Sequence, residues 1–275
     1  MSILIVGESD WPSVDRIHCL VPEDVDRRGL RVSPRGELFI HDLDGEWHLV
    51  RKVLWRIQGP VDFPKQQQMI SLIACSTARC LNSVESALRF SNRTLIHGGL
   101  RSAGLPVIAA SHLVGANGLS YFYKPDLPVV LKVGDWHMGY GKCRITSDDV
   151  WKDSVDMAIA SRDIVAIEPF VGYRRDIRIL LVGQRVFAAE RVAGRGQWKA
   201  NVCPDRVYVT DPPEMLVKLT RKAAAVLNME IVGADWIEDG DGNWILLEVN
   251  PAPGLQMGNL NCRPFVMELI NDLAV

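Results

Sequence analysis

Short apolar runs recur along the chain: ILIV at 3–6, VLWRI at 53–57, PVVLKV at 128–133, IVAIEPF at 164–170 and DIRILLVG at 176–183. Each is bounded by Gly, Pro or Asp, the pattern of strands ended by turns. Between them the spacing changes to three and four. QQQMISLIACSTARCL predicts a helix with Met69, Ile70, Leu72, Ile73 and Leu81 on one stripe, and NRTLIHGGLRSAG a shorter one from Asn92. A third helix starts near Thr146-Ser147-Asp148-Asp149, whose side chains can cap it. A fourth, DPPEMLVKLTRKAAAVLNM, has Pro in its first turn and a stripe of Met215, Leu216, Leu219, Ala223 and Leu227. RPFVMELINDLA is a last short helix. The charged, Gly/Pro-punctuated segment from Val21 to Glu46 reads as loop or weak hairpin. Strands alternating with helices give an α/β chain whose first 90 residues form a small α/β unit.

Two hairpins follow from turn chemistry. Gly183-Gln184 suits a type II′ turn, which sets Asp176 opposite Arg191 and puts Arg178 on the same face. In GADWIEDGDGNWILLEVNPAPG, Asp241-Gly242 suits a two-residue type I′ turn, which sets Asp235 opposite Glu248. Asp235, Glu248 and Asn250 then share one face, and Ala234, Trp236, Ile245, Leu247 and Val249 the other. Two ionised carboxylates facing each other repel unless a cation lies between them. Mg²⁺ takes oxygen ligands and commonly uses one or two carboxylates plus substrate phosphates, which matches this trio. The alternative is a solvated hairpin face.

Composition narrows the classes. With 275 residues the chain can bury a substantial core, and 48% hydrophobic with 23% charged residues is the make-up of a soluble globular protein. A formal charge of −2 gives no overall attraction for nucleic acid or an anionic membrane. No apolar run approaches a bilayer span and MSILIVGESD reads as a strand, so a cytoplasmic protein is expected. The six cysteines and six histidines are scattered without metal spacing, and the cysteines read as free thiols.

The segment GDWHMGYGK joins two strands and carries Lys132 before it and Lys142 at its exit. It is not a P-loop, because Trp136 stands where the upstream glycine belongs, nor a dinucleotide fingerprint, because Arg144 stands where the last glycine belongs. A flexible glycine loop between antiparallel strands, with a lysine on the preceding strand, can nonetheless cover and neutralise phosphates. A hairpin loop with solvated lysines is the plain alternative.

Taken in order, LKVGDWHMGYGK, IEPFV, DIRILLVG, GQWKAN and GADW with LLEVNPAPG resemble the ATP-grasp superfamily over roughly residues 80–256. The centre is similar to synapsin, and the end, Glu248-Val249-Asn250 through Pro253-Gly254, to the ribosomal-protein glutamate ligases. Where those ligases have an Asp-Lys pair, this chain has Asn92-Arg93. The resemblance implies an ATP-grasp fold, with a pre-ATP-grasp domain at 1–90 and two α+β subdomains at 91–168 and 169–275 that clamp ATP. It implies that Lys132 contacts the α- and β-phosphates and that the loop with His137, Gly139, Gly141 and Lys142 closes over the triphosphate. It assigns Glu168, Pro169, Phe170 and Val171 to the adenine and ribose hinge, and Arg93 and Asp176 to the nucleotide site. Asp235, Glu248 and Asn250 would hold two Mg²⁺ ions, with Mn²⁺ as a substitute, and Arg178, Arg191, Lys199 and Asn201 would lie near the γ-phosphate and the acceptor carboxylate.

The function so implied is an ATP- and Mg²⁺-dependent carboxylate–amine ligase that works through an acyl phosphate on small-molecule or peptide substrates. Tyr140 and Met138 could serve as a lid over the loop or pack on its base. A synapsin-like ATP-binding regulator without turnover is the second reading, and an unrelated α/β binding domain the third. Arg27, Arg28, Arg31, Arg35, Arg56, Arg195 and Arg206 hint at an acidic substrate. The short tail after Gly254 leaves an apolar edge on which a second copy could pack to form a homo-oligomer.

Overall fold

The computed structural model describes residues 2–11, 16–42, 44–57, 63–90, 92–114, 125–134, 139–200, 202 and 204–274. The first elements are β1 (Ser2–Val6), β2 (Ile17–Leu20), α1 (Val25–Arg28), β3 (Leu30–Val32), β4 (Leu38–His41), β5 (Trp47–Trp55), α2 (Phe63–Ala74), β6 (Arg79–Leu81) and α3 (Val84–Arg89). Their strands form one sheet in the order β2-β1-β5-β4-β3, with β6 also on β5. β1, β2 and β6 run parallel to their neighbours, so β1 reads as a continuous apolar run buried on both faces. The segment expected as loop or weak hairpin contains the antiparallel pair β3–β4. Met69, Ile70 and Ile73 of α2 close the core against Leu4, Val6, Leu38 and Val53.

The α2 helix is shorter than its sequence stripe suggests. Ser76 donates from its hydroxyl to the Ile73 carbonyl at 2.7 Å, and the backbone of Cys75 and Ser76 closes tight turns. That local competition ends the helix at Ala74, and Leu81 sits on β6 beside Leu54 instead of on the helical stripe.

The next elements are α4 (Arg93–Ser102), β7 (Ser111–Leu113), β8 (Val129–Val133), β9 (Lys142–Ile145), α5 (Asp148–Ser161) and β10 (Val165–Pro169). The strands make an antiparallel sheet, β7-β10-β8-β9, covered by Val155 and Ala158 of α5. The Asn92 side chain caps α4 by accepting from the Leu95 amide at 3.0 Å.

The last group is β11 (Tyr173–Val182), β12 (Arg185–Ala193), β13 (Pro204–Val209), α6 (Glu214–Leu227), β14 (Ile231–Asp239), β15 (Trp244–Asn250), β16 (Gln256–Met257), β17 (Leu260–Asn261) and α7 (Arg263–Asp272). Their main sheet runs β13-β12-β11-β14-β15, all antiparallel. Alternation along β11 divides two cores. Ile177, Ile179 and Leu181 pack with α6 and with Ile96 and Leu100 of α4, whereas Leu180 and Val182 pack with α7 and with Ile3, Ile5 and Leu54 of the first sheet. Of the α6 stripe, Leu216, Ala223 and Leu227 are buried but Met215 is exposed, because Pro213 stands at the N-cap and Met215 falls in the open first turn. Trp236 is fully buried there and donates from Nε1 to Thr220 Oγ1 at 2.9 Å.

The β14–β15 turn corrects one expectation. Asp239 and Asn243 pair across a three-residue loop, with Gly242 at φ +86°, instead of a two-residue turn. Such a loop shifts the register by one, so Trp236 faces Leu246 and Ile237 faces Ile245. A β-bulge then shifts it back, and Asp235 faces Glu248 after all. The extra residue is Leu247, which leaves the apolar face assigned to it and lines the cleft described next, while Leu246 takes the buried position. Gly183 at φ +58° makes the other turn as expected, with Asp176 opposite Arg191.

Candidate functional site

A cleft of about 710 Å³, its mouth included, lies between the β7–β10 sheet and the β11–β15 sheet. Lys132 on β8 and Glu168 on β10 form its inner wall. The antiparallel register puts Lys132 opposite Ala166 and Glu168 opposite Val130, so the two side chains meet diagonally, Nζ to Oε1 at 2.5 Å. Both are buried. Burial pulls the Lys132 pKa down while Glu168 pulls it up, so this is a charged pair held at a desolvation cost.

Beyond Glu168 the chain leaves the sheet through Pro169, Phe170 and Val171, which line the cleft with Val130, Ile108, Ile237 and Leu247. The Phe170 amide donates to the Pro128 carbonyl at 2.9 Å, and its ring meets Trp198 edge-on at 6.1 Å between centroids. This end is therefore apolar and flat-walled, with backbone groups at its rim.

The other end carries the charge. Asp235 accepts from Arg178 Nη1 at 3.2 Å and lies 3.2 Å from Arg191 Nη2. Arg191 also donates to Asp176 Oδ1 from Nε at 2.8 Å and Nη2 at 2.5 Å. Burial pushes the Asp176 carboxyl up to about 6, Arg191 opposes it and Asp235 adds to it; the Arg191 guanidinium is itself held up by both acids against burial. Glu248 accepts from Lys142 Nζ at 3.1 Å. Burial works to raise its pKa, but Lys142, Arg93 and Lys132 together hold it well below the usual carboxylate range.

The glycine loop leans on this charged end. Gly139 and Gly141 have φ of +78° and +64°, and a Cβ on Gly139 would lie 2.2 Å from Val202 Cγ2, so only glycine permits the approach. Lys199 donates to the carbonyls of Gly139 at 2.8 Å and Lys142 at 2.9 Å, and Arg93 to that of Gly134 at 3.3 Å. Tyr140 is 64% exposed. His137, Met138, Asn201 and Cys203 lie outside the described residues.

The structure thus gathers Lys132, Lys142, Glu168, Pro169, Phe170, Val171, Asp176, Arg191, Lys199, Asp235 and Glu248 on one cleft, with Arg93 and Arg178 bonded to its edge. Asn250 ends β15 two residues past Glu248, and its Oδ1 accepts from the Ala252 amide at 3.0 Å. Ile237 and Val130 were missed by sequence reasoning although each stands two residues from an acid or lysine already singled out, on the same strand face. Among the described residues no three His, Cys, Asp or Glu side chains cluster as a metal site. Asp235 and Glu248 oppose each other on paired strands, and two such hard oxygen donors suit Mg²⁺ of the kind completed by substrate phosphates.

The sequence profile of "Synapsin, ATP binding domain" matches residues 76–251, which is more than half of the chain. The chain belongs to this family. Its fold is that of the ATP-grasp ligases. The ATP-grasp ligase PsnB with its minimal precursor superimposes with a TM-score of 0.71 at 16% identity over 98% of both chains. The macrocyclase MdnC from Microcystis aeruginosa, bound to precursor peptide MdnA, superimposes with a TM-score of 0.67 at 15% identity over 99% of this chain and 100% of that one. By sequence, the alpha-aminoadipate–LysW ligase LysX of Saccharolobus solfataricus is 26% identical over 55% of this chain and 59% of its own length. The tetrahydromethanopterin:alpha-L-glutamate ligase of Methanocaldococcus jannaschii is 39% identical over 32% of this chain and 30% of its own. The chain therefore spans no more than about three fifths of the curated relatives it matches. The resemblance read from the motifs, ATP-grasp with a synapsin-like centre, is borne out, and so are the α/β class and ATP-grasp fold.

Proposed function

We propose that this protein is an ATP- and Mg²⁺-dependent ligase that joins a carboxylate to an amine, releasing ADP and phosphate. The observation that carries the reading is the charged end of the cleft, where Asp235 and Glu248 face each other inside a ring of Arg178, Arg191, Lys142 and Arg93. In support, three of the similar proteins named above are ligases by name, and the two solved ones are bound to a precursor, in MdnC a precursor peptide.

A carboxylate is a poor electrophile. The reaction therefore begins with attack of a carboxylate oxygen on the γ-phosphorus of ATP, which breaks the bond to the bridging oxygen and frees ADP. The amine then attacks the carbonyl carbon of the acyl phosphate, the C–O bond breaks with its electron pair on phosphate, and the amine gives up a proton. Asp235, Glu248 and Asn250 would hold Mg²⁺, in one or two ions, with Mn²⁺ as a substitute; when bound, the metal offsets charge on the phosphates. Lys132 serves the phosphates once it leaves Glu168, and Glu168 with the backbone through Val171 serves adenine and ribose. Lys142 and Arg93 flank the phosphates with Asp176 behind them, and Arg178 and Arg191 offset the charge on the transferring group. Lys199 ties down the glycine loop that excludes water, with Tyr140 at its tip.

On this reading the subdomains 91–168 and 169–275 clamp ATP between them with 1–90 as the pre-ATP-grasp domain, the work is done in the cytoplasm, and the substrates are small molecules or peptides, with no part for nucleic acid or membrane. The family match favours one alternative, a nucleotide-binding regulator without turnover. The deciding experiment measures ADP and phosphate release with ATP and Mg²⁺ against pools of amino acids and short peptides, with products weighed by mass. A new mass equal to acid plus amine minus water, lost in the Asp235→Ala/Glu248→Ala variant, supports the ligase. ATP binding with no acceptor-stimulated release supports the regulator.

A further inference from the structure

Arg56 follows the last residue of β5 and is 1% exposed. Its Nη2 donates to Glu8 Oε1 at 2.7 Å, and Trp11 Nε1 fixes the other Glu8 oxygen at 2.6 Å. Its Nε and Nη1 have no partner among the described residues. Guanidinium does not escape burial by losing its proton, so unpaired N–H groups on it are costly to leave without an acceptor. Burial pulls its pKa down, Glu8 opposes this, and the neighbouring charges of Arg263 and Arg178 act with burial.

A cavity of about 720 Å³ opens against that arginine, lined by Glu8, Arg56, Arg263, Asn261 and residues 254–256. None of these residues lines the cleft that holds Lys132. The two spaces are nonetheless neighbours. A Cβ on Gly233 would lie 2.7 Å from Pro253 Cβ and 2.8 Å from Arg178 Nη2, so Arg178, which holds Asp235, packs beside the residue before Gly254. Arg263 closes the far side, paired to Asp10 at 2.6 Å and 4.0 Å from Glu8.

We infer that this cavity binds a carboxylate of the substrate other than the one that is activated, with Arg56 as its anchor. The substrate held here then carries a free carboxylate beyond the reacting group. The inference rests on the ligase reading above and adds the substrate class. A monoanion suits the site better than a phosphate, because Glu8 at the wall and Asp10, paired to the Arg263 that lines it, would oppose a second negative charge.

The test is calorimetric titration of the protein with glutarate and with its neutral diamide, alongside a titration with ATP and Mg²⁺. Glutarate is expected to bind the wild type, the diamide at least tenfold more weakly, and Arg56→Gln to lose the difference. Gln256→Glu, at an exposed position on the cavity wall, brings a carboxylate to the mouth and should weaken glutarate about tenfold; it keeps the inference testable if Arg56→Gln fails to fold. Equal binding of glutarate and diamide, or glutarate binding indifferent to both substitutions, overturns the inference. Because ATP is titrated separately, intact ATP binding with no charge preference sinks this inference alone, whereas an Arg56-dependent preference without ATP binding sinks the ligase reading alone.

Discussion

Replacing Glu248 by Gln separates two roles of one carboxylate. Around it stand Lys142 at 3.1 Å and, farther off, Arg93 and Lys132, with Glu168 as the other acid on Lys132. Among the described residues Lys142 and Lys132 are thus each paired with one acid, and the substitution takes that of Lys142 away. The Glu248 side chain is 17% exposed and that of Lys142 10%, so water relieves part of the loss; against about 3–5 kcal/mol for breaking a fully buried pair, a cost of roughly 2–3 kcal/mol is expected. Nucleotide should respond with the opposite sign. In EDTA, ATP no longer meets the repulsion of Glu248, and at an effective dielectric of about 20 one charge several Å away is worth at least ~1.4 kcal/mol, or about tenfold tighter binding. With Mg²⁺ present the wild type gains affinity and the variant gains little, because its metal ligand has gone. The assay is ATP titration of both proteins with EDTA and with excess Mg²⁺. Equal tightening by Mg²⁺ in the two proteins would refute Glu248 as a metal ligand, and weaker ATP binding by the variant in EDTA would refute the repulsion.

Three further outcomes are expected. His97 is 2% exposed, its ring nitrogens have no hydrogen-bond partner among the described residues, and burial, with Lys132 and Arg93, lowers its pKa from 6.5 to about 3. A base whose folded pKa is depressed stabilises the fold fully above pH 6.5 and loses that contribution as pH falls toward 3; at pH 5 the loss is about 2 kcal/mol, and urea unfolding at pH 7.5 and 5 should show a smaller drop for His97→Met than for the wild type. Thr220→Val leaves Trp236 Nε1 without its acceptor in the core and should cost about 1–3 kcal/mol, read from the denaturation midpoint, while ATP binding stays unchanged. Gly139→Ala places a methyl at 2.2 Å from Val202 at a φ of +78°, so the loop must lift off; the KM for ATP should rise several-fold with the melting temperature nearly constant, and an unchanged KM would show that the loop does not cover the nucleotide.

Much of the fold was legible because it is local. The apolar stripe of α6 and the cap residues before α5 gave their positions, and a glycine where φ must be +58° gave the β11–β12 turn and its register. The end of α2 was not legible from the apolar stripe, since Leu81 keeps helical spacing with Ile70 by coincidence and a hydroxyl at Ser76 decides the matter. Packing across the chain was not legible either. Ile96 and Leu100 of α4 join the core of a sheet whose strands begin at Tyr173, and nothing within α4 says so.

The acidic pair shows how a correct pairing can rest on a wrong turn. The two-residue turn was inferred from Asp241-Gly242 alone, and taken to the end it predicted Asp235 opposite Glu248. The true loop has one more residue, and had the strands stayed regular Asp235 would have met Leu247. The bulge restores the pairing because apolar burial and charge pull the same way. Trp244, Leu246 and Val249 pack against the core while Ile245, Leu247 and Glu248 turn away, a spacing of two and then three that no regular strand allows. The trace of it in the sequence is the run Ile245-Leu246-Leu247, three apolar residues where alternation wants a polar one. Bulges re-aim side chains beside functional sites. Deleting Leu247 should therefore remove the bulge while Glu248 moves up one place and stays opposite Asp235, so Mg²⁺-dependent tightening of ATP should survive the loss of the Leu247 side chain from the cleft. If the deletion variant folds and binds ATP no more tightly with Mg²⁺ than without it, the pairing of Asp235 with Glu248 is not enough to hold the metal.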